Sequence, residues 1–400
     1  MLARPFAVPE WIWALGGGIV VAATGLLPLH AVVAALGKGT DVYLFLAGMM
    51  LLAETARREG VFDWVASLAV RACGGSRRRL FTLIYAVGVV VTTVLSNDAT
   101  AVVLTPAVAA AVRTAKVSPL PYLFACALIA NAASFVLPIS NPANLVVLSS
   151  GLPPLVKWVS MFGIPSILAI GITYGVLLAI FRGDLAGDVE AASDPKTLEL
   201  PGKLALGGIG LTAVALVVTS SFGANLGSVT LAAGVLVVIA VIIVDRAALW
   251  PVISGVSWTV LPLVAGLFVL VSAAEETGLL TPLRLATTFA SGLPPPLGIA
   301  AAAFATGIGS NLINNLPAGL IAGTTVASAH VSDAFRSAVA IGIDLGPNLS
   351  VTGSLATILW LLALRREEID VDAWRFLRVG ALAMPTALLC AVESLLFTLR

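Results

Sequence analysis

Apolar runs of membrane length fill this chain, and four of them are interrupted by short polar stretches. The first pair is Ser96-Asn97-Asp98 and, further on, Ser140-Asn141-Pro142-Ala143-Asn144. The second pair is Ser310-Asn311-Leu312-Ile313-Asn314-Asn315 and then Asp344-Leu345-Gly346-Pro347-Asn348. Polar side chains and irregular backbone at bilayer depth are costly unless they face protein or a water-filled cavity. At roughly 20 residues per span, the pattern predicts unbroken helices near 11–27, 41–56, 158–181, 204–222, 226–244, 251–274 and 376–397. Two further spans, over 120–150 and 336–364, are broken. The runs 80–114 and 297–328 are too long for one crossing. Each reads as a re-entrant hairpin of two half-helices with a polar stretch at its tip. Stretches 61–73 and 279–291 repeat apolar positions at helical spacing and are expected at the membrane interface.

Two similarly ordered pairs of interruptions predict an all-α polytopic membrane protein built from two inverted repeats. Each repeat carries a re-entrant helical hairpin and a broken transmembrane helix, an arrangement typical of secondary transporters. An internal spacing supports the repeat. Gly48 precedes Gly60 by twelve residues, and Gly266 precedes Gly278 by twelve; Gly60 to Asn97 and Gly278 to Asn315 both span 37. The expected units are an N-terminal repeat over 1–182, a linker over 183–203 and a C-terminal repeat over 204–400.

Charge placement orients this scheme. With Met1 cytoplasmic and both hairpins re-entrant, 17 of the 22 Lys and Arg residues face the cytoplasm and 5 face outside, in accord with the positive-inside rule. A single crossing at the first hairpin would instead put Arg113 and Lys116 on the side opposite Arg77, Arg78 and Arg79. The expectation is a multi-pass protein of the cell's inner (plasma) membrane with a cytoplasmic N-terminus and the C-terminus outside. Met1–Trp13 lacks the features of a cleavable signal, and the first span can direct insertion. The acidic linker is expected to be a solvated cytoplasmic loop.

Composition agrees: 59% of residues are hydrophobic and 11% charged, with mean hydropathy +1.05. That is too little charge to cover a soluble protein of this length. Several classes of chemistry are disfavoured. No Gly-rich loop ends in Lys-Ser or Lys-Thr, so the chain carries no ATPase of its own. No nucleophile–base pair suggests an enzyme. Cys73, Cys126 and Cys390 are scattered, and His30 and His330 are isolated, so neither a metal nor a cofactor is expected. Nucleic acid is not an expected partner; the lipid bilayer is.

The candidate chemistry lies at the breaks. Asp98 and Asp344 are carboxylates at a depth where charge is costly, which makes them candidates for proton coupling. Asp98 also has a plainer reading as a helix cap. Ser96, Asn97, Asn141, Asn144, Asn311, Asn314, Asn315 and Asn348 offer donors and acceptors without net charge. Such a set suits a neutral hydroxylated solute or the oxygen shell of a small cation better than a multivalent anion, since no Lys or Arg falls near any break. Glu54, Glu275 and Glu276 lie near helix ends and are expected to reach the interface.

At these same residues the sequence resembles the arsenite efflux pumps of the ArsB type, within the ion transporter superfamily. The matching segments are Asn97-Asp98, Ala101 and Leu104-Thr105-Pro106; Asn314-Asn315 with Pro317; and Asp344-Leu345-Gly346-Pro347 with Gly353-Ser354-Leu355-Ala356-Thr357 and Leu359-Trp360. The resemblance covers essentially the whole chain. It implies export of trivalent arsenic or antimony hydroxide in exchange for protons, and leaves a soluble ATPase partner open. The alternative within transport is a Na⁺/H⁺ antiporter, or another small-solute carrier of the superfamily, using the same carboxylates and amides.

Overall fold

The computed structural model describes residues 9–149, 151–189, 197–329 and 331–398. Met1 and Arg4, Glu190, Asp194 and Lys196 of the linker, His330 and Arg400 lie outside the described residues. The described chain is helical, with one isolated bridge between Ser76 and Asp188. Six of its helices are long and apolar enough to cross a membrane, or seven if one bent pair is a single span. The chain is an all-α, multi-pass membrane protein.

The N-terminal half begins with α1 (Glu10–Ala23), α2 (Leu29–Lys38) and α3 (Thr40–Arg58), the last two bent by 44° at Gly39. Gly60, at φ +73°, turns the chain into α4 (Val61–Ala72). The first hairpin is α5 (Arg77–Val94), a tip at 95–96, then α6 (Asn97–Ala99), a π-helical segment at Thr100–Leu104 and α7 (Thr105–Thr114). Its first arm has 18 residues, about 27 Å at 1.5 Å per residue. It is therefore longer than the half-helix expected from the sequence. The first broken span is α8 (Leu120–Ala132), an irregular stretch containing a 3₁₀ turn at Pro138–Ser140, and α9 (Pro142–Val147). The half closes with α10 (Leu155–Ile180).

The C-terminal half opens with α11 (Leu200–Ser221), α12 (Gly227–Val244), α13 (Leu249–Gly255) and α14 (Val260–Glu276). Gly278, at φ +75°, then turns into α15 (Thr281–Ser291), as Gly60 does before α4. The second hairpin is α16 (Pro295–Ile313) and α17 (Asn315–Ser328), joined at Asn314 with φ +76°. The second broken span is α18 (Asp333–Leu345), a 3₁₀ turn at Gly346–Leu349 and α19 (Leu355–Arg366). The half ends with α20 (Ala373–Thr398), which has 26 residues and an internal proline, Pro385. Helix α10 also has 26 residues and an internal proline, Pro165.

Packing reveals how the repeats interlock. In α3, Gly48 lies against Thr230 and Gly234 of α12, and Asp41 accepts a 2.7 Å hydrogen bond from the Gly227 backbone N–H. In α14, Gly266 lies against Ala14 of α1, and Gly18 lies against Gly266 and Val269. Each repeat thus packs a helix parallel to the glycine-bearing span of the other, α12 beside α3 and α1 beside α14. The close approaches fall at the two glycines matched by the sequence spacing, where absent side chains let backbones meet without lipid between them. The two matched spans run in opposite directions. Phe268 of α14 packs edge-on to Tyr43 near the start of α3, while Val260 shares a cavity with Glu54 near its end.

The hairpins follow the same plan. Tyr122 Oη at the start of α8 donates to the Arg77 carbonyl at the start of α5 (3.2 Å), and Ser140 Oγ donates to the Thr93 carbonyl at its end (3.1 Å). Helices α5 and α8 are therefore parallel, and α7 must return to the end where α5 began. In the other repeat, Gly342 and Gly346 of the second broken span lie against Ala303 and Gly307 of α16, again in parallel.

One end of the molecule gathers basic residues. Arg77 Nε donates to the Asp188 carbonyl of the linker (3.0 Å), Arg113 pairs with Glu367 (3.3 Å), and Arg58 lies near Asp245 (3.7 Å). Lys157 pairs with Asp333 (2.6 Å) in the first turns of α10 and α18, toward the opposite end.

Candidate transport site

The four breaks converge, and the side chains facing one another there are amides, hydroxyls and carboxylates. Each break starts a short helix whose first backbone N–H groups have no intrahelical partner. The chain supplies its own cap in every case. Ser96 Oγ accepts from the Ala99 N–H (3.2 Å), Asn141 Oδ1 from Ala143 (3.0 Å), Asn314 Oδ1 from Leu316 (3.4 Å) and Ser354 Oγ from Thr357 (3.1 Å). Capping at the first tip falls to Ser96; Asp98, the residue with the plainer reading as a cap, is not the N-cap there.

Asp344 is fully buried. Its Oδ1 accepts a 2.7 Å hydrogen bond from Asn141 Nδ2, which ties the two broken spans together. Its Oδ2 has no hydrogen-bond partner among the described residues. Asp98 lies elsewhere, at the first hairpin tip, where its backbone N–H donates to Asn97 Oδ1 (2.9 Å). Its side chain lines a cavity of about 80 Å³ together with Ser96, Glu54, Ser257 and Pro142. Asp344 is not among the residues that line this cavity. The two aspartates meet the start of α9 at adjacent residues, Asp344 through Asn141 and Asp98 beside Pro142.

The remaining predicted residues separate into two groups. Asn144 Nδ2 donates to the carbonyls of Ser134 (2.8 Å) and Pro138 (3.4 Å), closing the first break. Asn348 Nδ2 donates to the Leu128 carbonyl (3.0 Å), and its Oδ1 accepts from Asn131 Nδ2 (3.0 Å). Asn311 Nδ2 serves the carbonyls of Gly307 (2.7 Å) and Gly346 (2.9 Å), and its Oδ1 accepts from Ser350 Oγ (2.6 Å). These three amides are spent on the protein, because unwound backbone buried in apolar surroundings must find partners. Asn97 and Asn315 differ. Both are buried, yet among the described residues the Asn97 Nδ2 and the whole Asn315 side-chain amide have no hydrogen-bond partner. They are the two positions matched by the repeat spacing.

Two residues were not singled out by sequence reasoning. Asn131, fully buried in α8, sits at the centre of the network joining Asn348, Ser354 and Thr357. Its signal was a lone amide inside an otherwise apolar helix. Glu54 was expected at the interface and is instead 7% exposed, beside Asp98's cavity. The reason is that α13 and the segment after it fold over α3, and Gly255 lies directly against the Glu54 side chain. The stripe Leu46, Met50 and Glu54, at four-residue spacing, lines the cavity and was the legible hint. Cys73 caps α4, Cys126 lies in α8 and Cys390 in α20.

Comparison with known proteins agrees with this arrangement. Residues 1–346 match the CitMHS family, described as citrate transporter. The chain belongs to this family. Among its relatives, the arsenical pump membrane protein of Yersinia enterocolitica is 30% identical over 356 residues, 84% of this chain and 81% of that one. The protein of that name from Escherichia coli K12 is 29% identical over 360 residues, with the same coverage. The crystal structure of the Alcanivorax borkumensis YdaH transporter, described as having an unusual topology, shares the fold. It matches with a TM-score of 0.57 and 14% identity over 96% of both chains. A transporter is thus what this family member is.

Proposed function

We propose that the protein exports trivalent arsenic or antimony hydroxide across the inner membrane in exchange for protons. The observation that carries this reading is the chemistry of the convergent breaks: amides, hydroxyls and carboxylates, with no Lys or Arg lining the cavity that holds Asp98 and Ser96. A tricarboxylate such as citrate would be desolvated there with no cation to pair with, a penalty of several kcal/mol per charge. Helix N-termini are the usual substitute for a cation, but Ser96, Asn141, Asn314 and Ser354 already cap them.

Trivalent arsenic near neutral pH is a small neutral trihydroxide that needs both donors and acceptors. Asn97 and Asn315, related by the repeat and without side-chain partners among the described residues, are the amides left to supply them. Asn141 and Ser96 reach the same region as caps, while Asn144, Asn311 and Asn348 hold the broken backbone in shape. Asp98 and Asp344 carry the exchanged proton, Asp344 through its unengaged Oδ2. Export follows if proton and solute occupy the two orientations of the carrier alternately. No ATPase is required for this exchange.

The test is uptake into everted membrane vesicles energised by a proton gradient. Arsenite and antimonite should accumulate and be lost on collapse of the gradient, while citrate should neither accumulate nor compete. Citrate accumulation with arsenite excluded would overturn the proposal, as would arsenite uptake driven only by a sodium gradient.

A further inference from the structure

Glu54 is the buried acidic residue that the proposed exchange does not yet use. It shares the roughly 80 Å³ cavity with Asp98 and Ser96. The cavity walls are otherwise mainly apolar, including Met49, Met50, Val102 and Leu355. A space of that size admits more than one water, and its few polar groups are the ones available to hold them. Glu54 is also bound on its far side. Arg57 Nε donates to Oε2 at 2.8 Å, and its terminal nitrogen reaches Oε1. The Arg57 side chain is 50% exposed and that of Glu54 9%. The pair therefore bridges the cavity and the aqueous surface at the end where Arg58 meets Asp245.

The charged neighbours are few. Arg57 and Arg58 lie on the same helix, Asp63 of α4 acts on Arg57 from the loop side, and Asp98 faces across the cavity. Ser257 after α13, Val260 of α14 and Leu355 of α19 contribute no charge. The position in α14 matched to Glu54 by the repeat spacing is Ser272. The acid is thus present in one half of the molecule only, as a device specific to one side of the membrane would be.

We infer that Glu54 relays the exchanged proton between Asp98 and the water at the Arg57 end, a role that rests on the proton-exchange reading above. In the release direction, the Asp98 carboxyl gives a proton to cavity water, which passes one to the Glu54 carboxylate. Glu54 then loses it to bulk water and closes again on Arg57. Glu54 is a positioning and relay residue and does not bind the solute.

Two assays in everted vesicles separate this role from a structural one. Net arsenite uptake driven by a proton gradient needs the relay; exchange of labelled for unlabelled arsenite at equal pH on both sides does not. In Glu54→Gln, net uptake should fall by roughly 100-fold, the low end of what a positioned proton-transfer group contributes. Its remaining pH dependence should flatten, while exchange stays near the unsubstituted level. Glu54→Asp keeps a titrating group one methylene further from the cavity, and should retain coupled uptake with a displaced pH midpoint. It also decides the matter if Glu54→Gln does not accumulate in the membrane. Unchanged net uptake and pH profile in either variant would overturn the relay. So would a parallel loss of uptake and exchange in both, the mark of a purely structural Glu54–Arg57 clamp. If Asp98→Asn and Asp344→Asn leave gradient-driven uptake intact, the failure belongs to the proton-exchange reading itself. Loss in those variants but not in Glu54→Gln would remove the relay alone.

Discussion

Single residues at the breaks divide between holding the backbone and meeting the solute, and their hydrogen-bond partners decide which. Asn348 and Asn131 are fully buried and bonded to each other. Truncating Asn348 to Ala takes from Asn131 Nδ2 its 3.0 Å acceptor, leaving only Thr357 Oγ1 at 3.5 Å, and removes a donor from the Leu128 carbonyl, at up to about 1–3 kcal/mol for an unsatisfied buried group. The expected result is a lower unfolding temperature in detergent together with reduced transport. Asn97→Ala and Asn315→Ala should behave in the opposite way. Each removes an amide without a side-chain acceptor to satisfy among the described residues, so stability should stay near that of the parent while arsenite uptake weakens. A thermal shift in Asn97→Ala as large as in Asn348→Ala would show that this division is misplaced. Asp344→Asn retains an acceptor for Asn141 but removes ionisation. Net uptake driven by a proton gradient should be lost while the variant still inserts; retained gradient-driven uptake in this and in Asp98→Asn would remove the carboxylates from the mechanism.

Among the helices, the two crossings at Gly48 and Gly266 are close backbone contacts between one repeat and the other. A Cβ at Gly48 would collide with the Thr230 carbonyl, and one at Gly266 with the Ala14 backbone. Small-to-large substitution in such packed contacts costs about 1–3 kcal/mol and more when backbone must move. Gly48→Leu and Gly266→Leu should therefore lower folding yield and thermal stability in detergent. Gly207, whose added Cβ would meet nothing within 4 Å, provides the control: Gly207→Leu should be tolerated. Comparable losses in all three would show that the crossings have no special role. Helix α15 contrasts with its counterpart α4. Five residues of α4 are buried and none of α15, because α11 and the first hairpin cover α4. Equal amphipathic patterns thus end in unequal surroundings.

For the molecule as a whole, the main prediction is that the first hairpin re-enters. Ala72, before α5, and Thr114, at the end of α7, are both exposed, so cysteines placed there suit labelling. In a background with Cys73, Cys126 and Cys390 replaced by Ser, Ala72→Cys and Thr114→Cys should react with an impermeant reagent from the same side of the membrane. Lys157→Cys should react from the other. Labelling of the first two from opposite sides would turn the hairpin into a crossing and end the inverted repeat.

Sequence alone determined the class, the two repeats and the position of the four breaks. It could do so because bilayer thickness sets span length and because polar residues inside a span are costly enough to stand out. The repeat spacing even identified Gly48 and Gly266, since a close helix crossing demands a small residue at one place in each half. Only the tertiary structure decided what each polar residue faces. Ser96, Asn141 and Asn314 became caps, Asn144, Asn311 and Asn348 became braces, and Asn97 and Asn315 kept amide groups without a side-chain partner among the described residues. Glu54 moved from an expected interface position into a cavity because residues 201 positions away in the chain, at Gly255, fold over it. A hydrogen-bonding group looks the same in a sequence whether its partner is backbone, side chain or solute. The partner is chosen by which distant helices arrive beside it, and that is a property of the packed molecule.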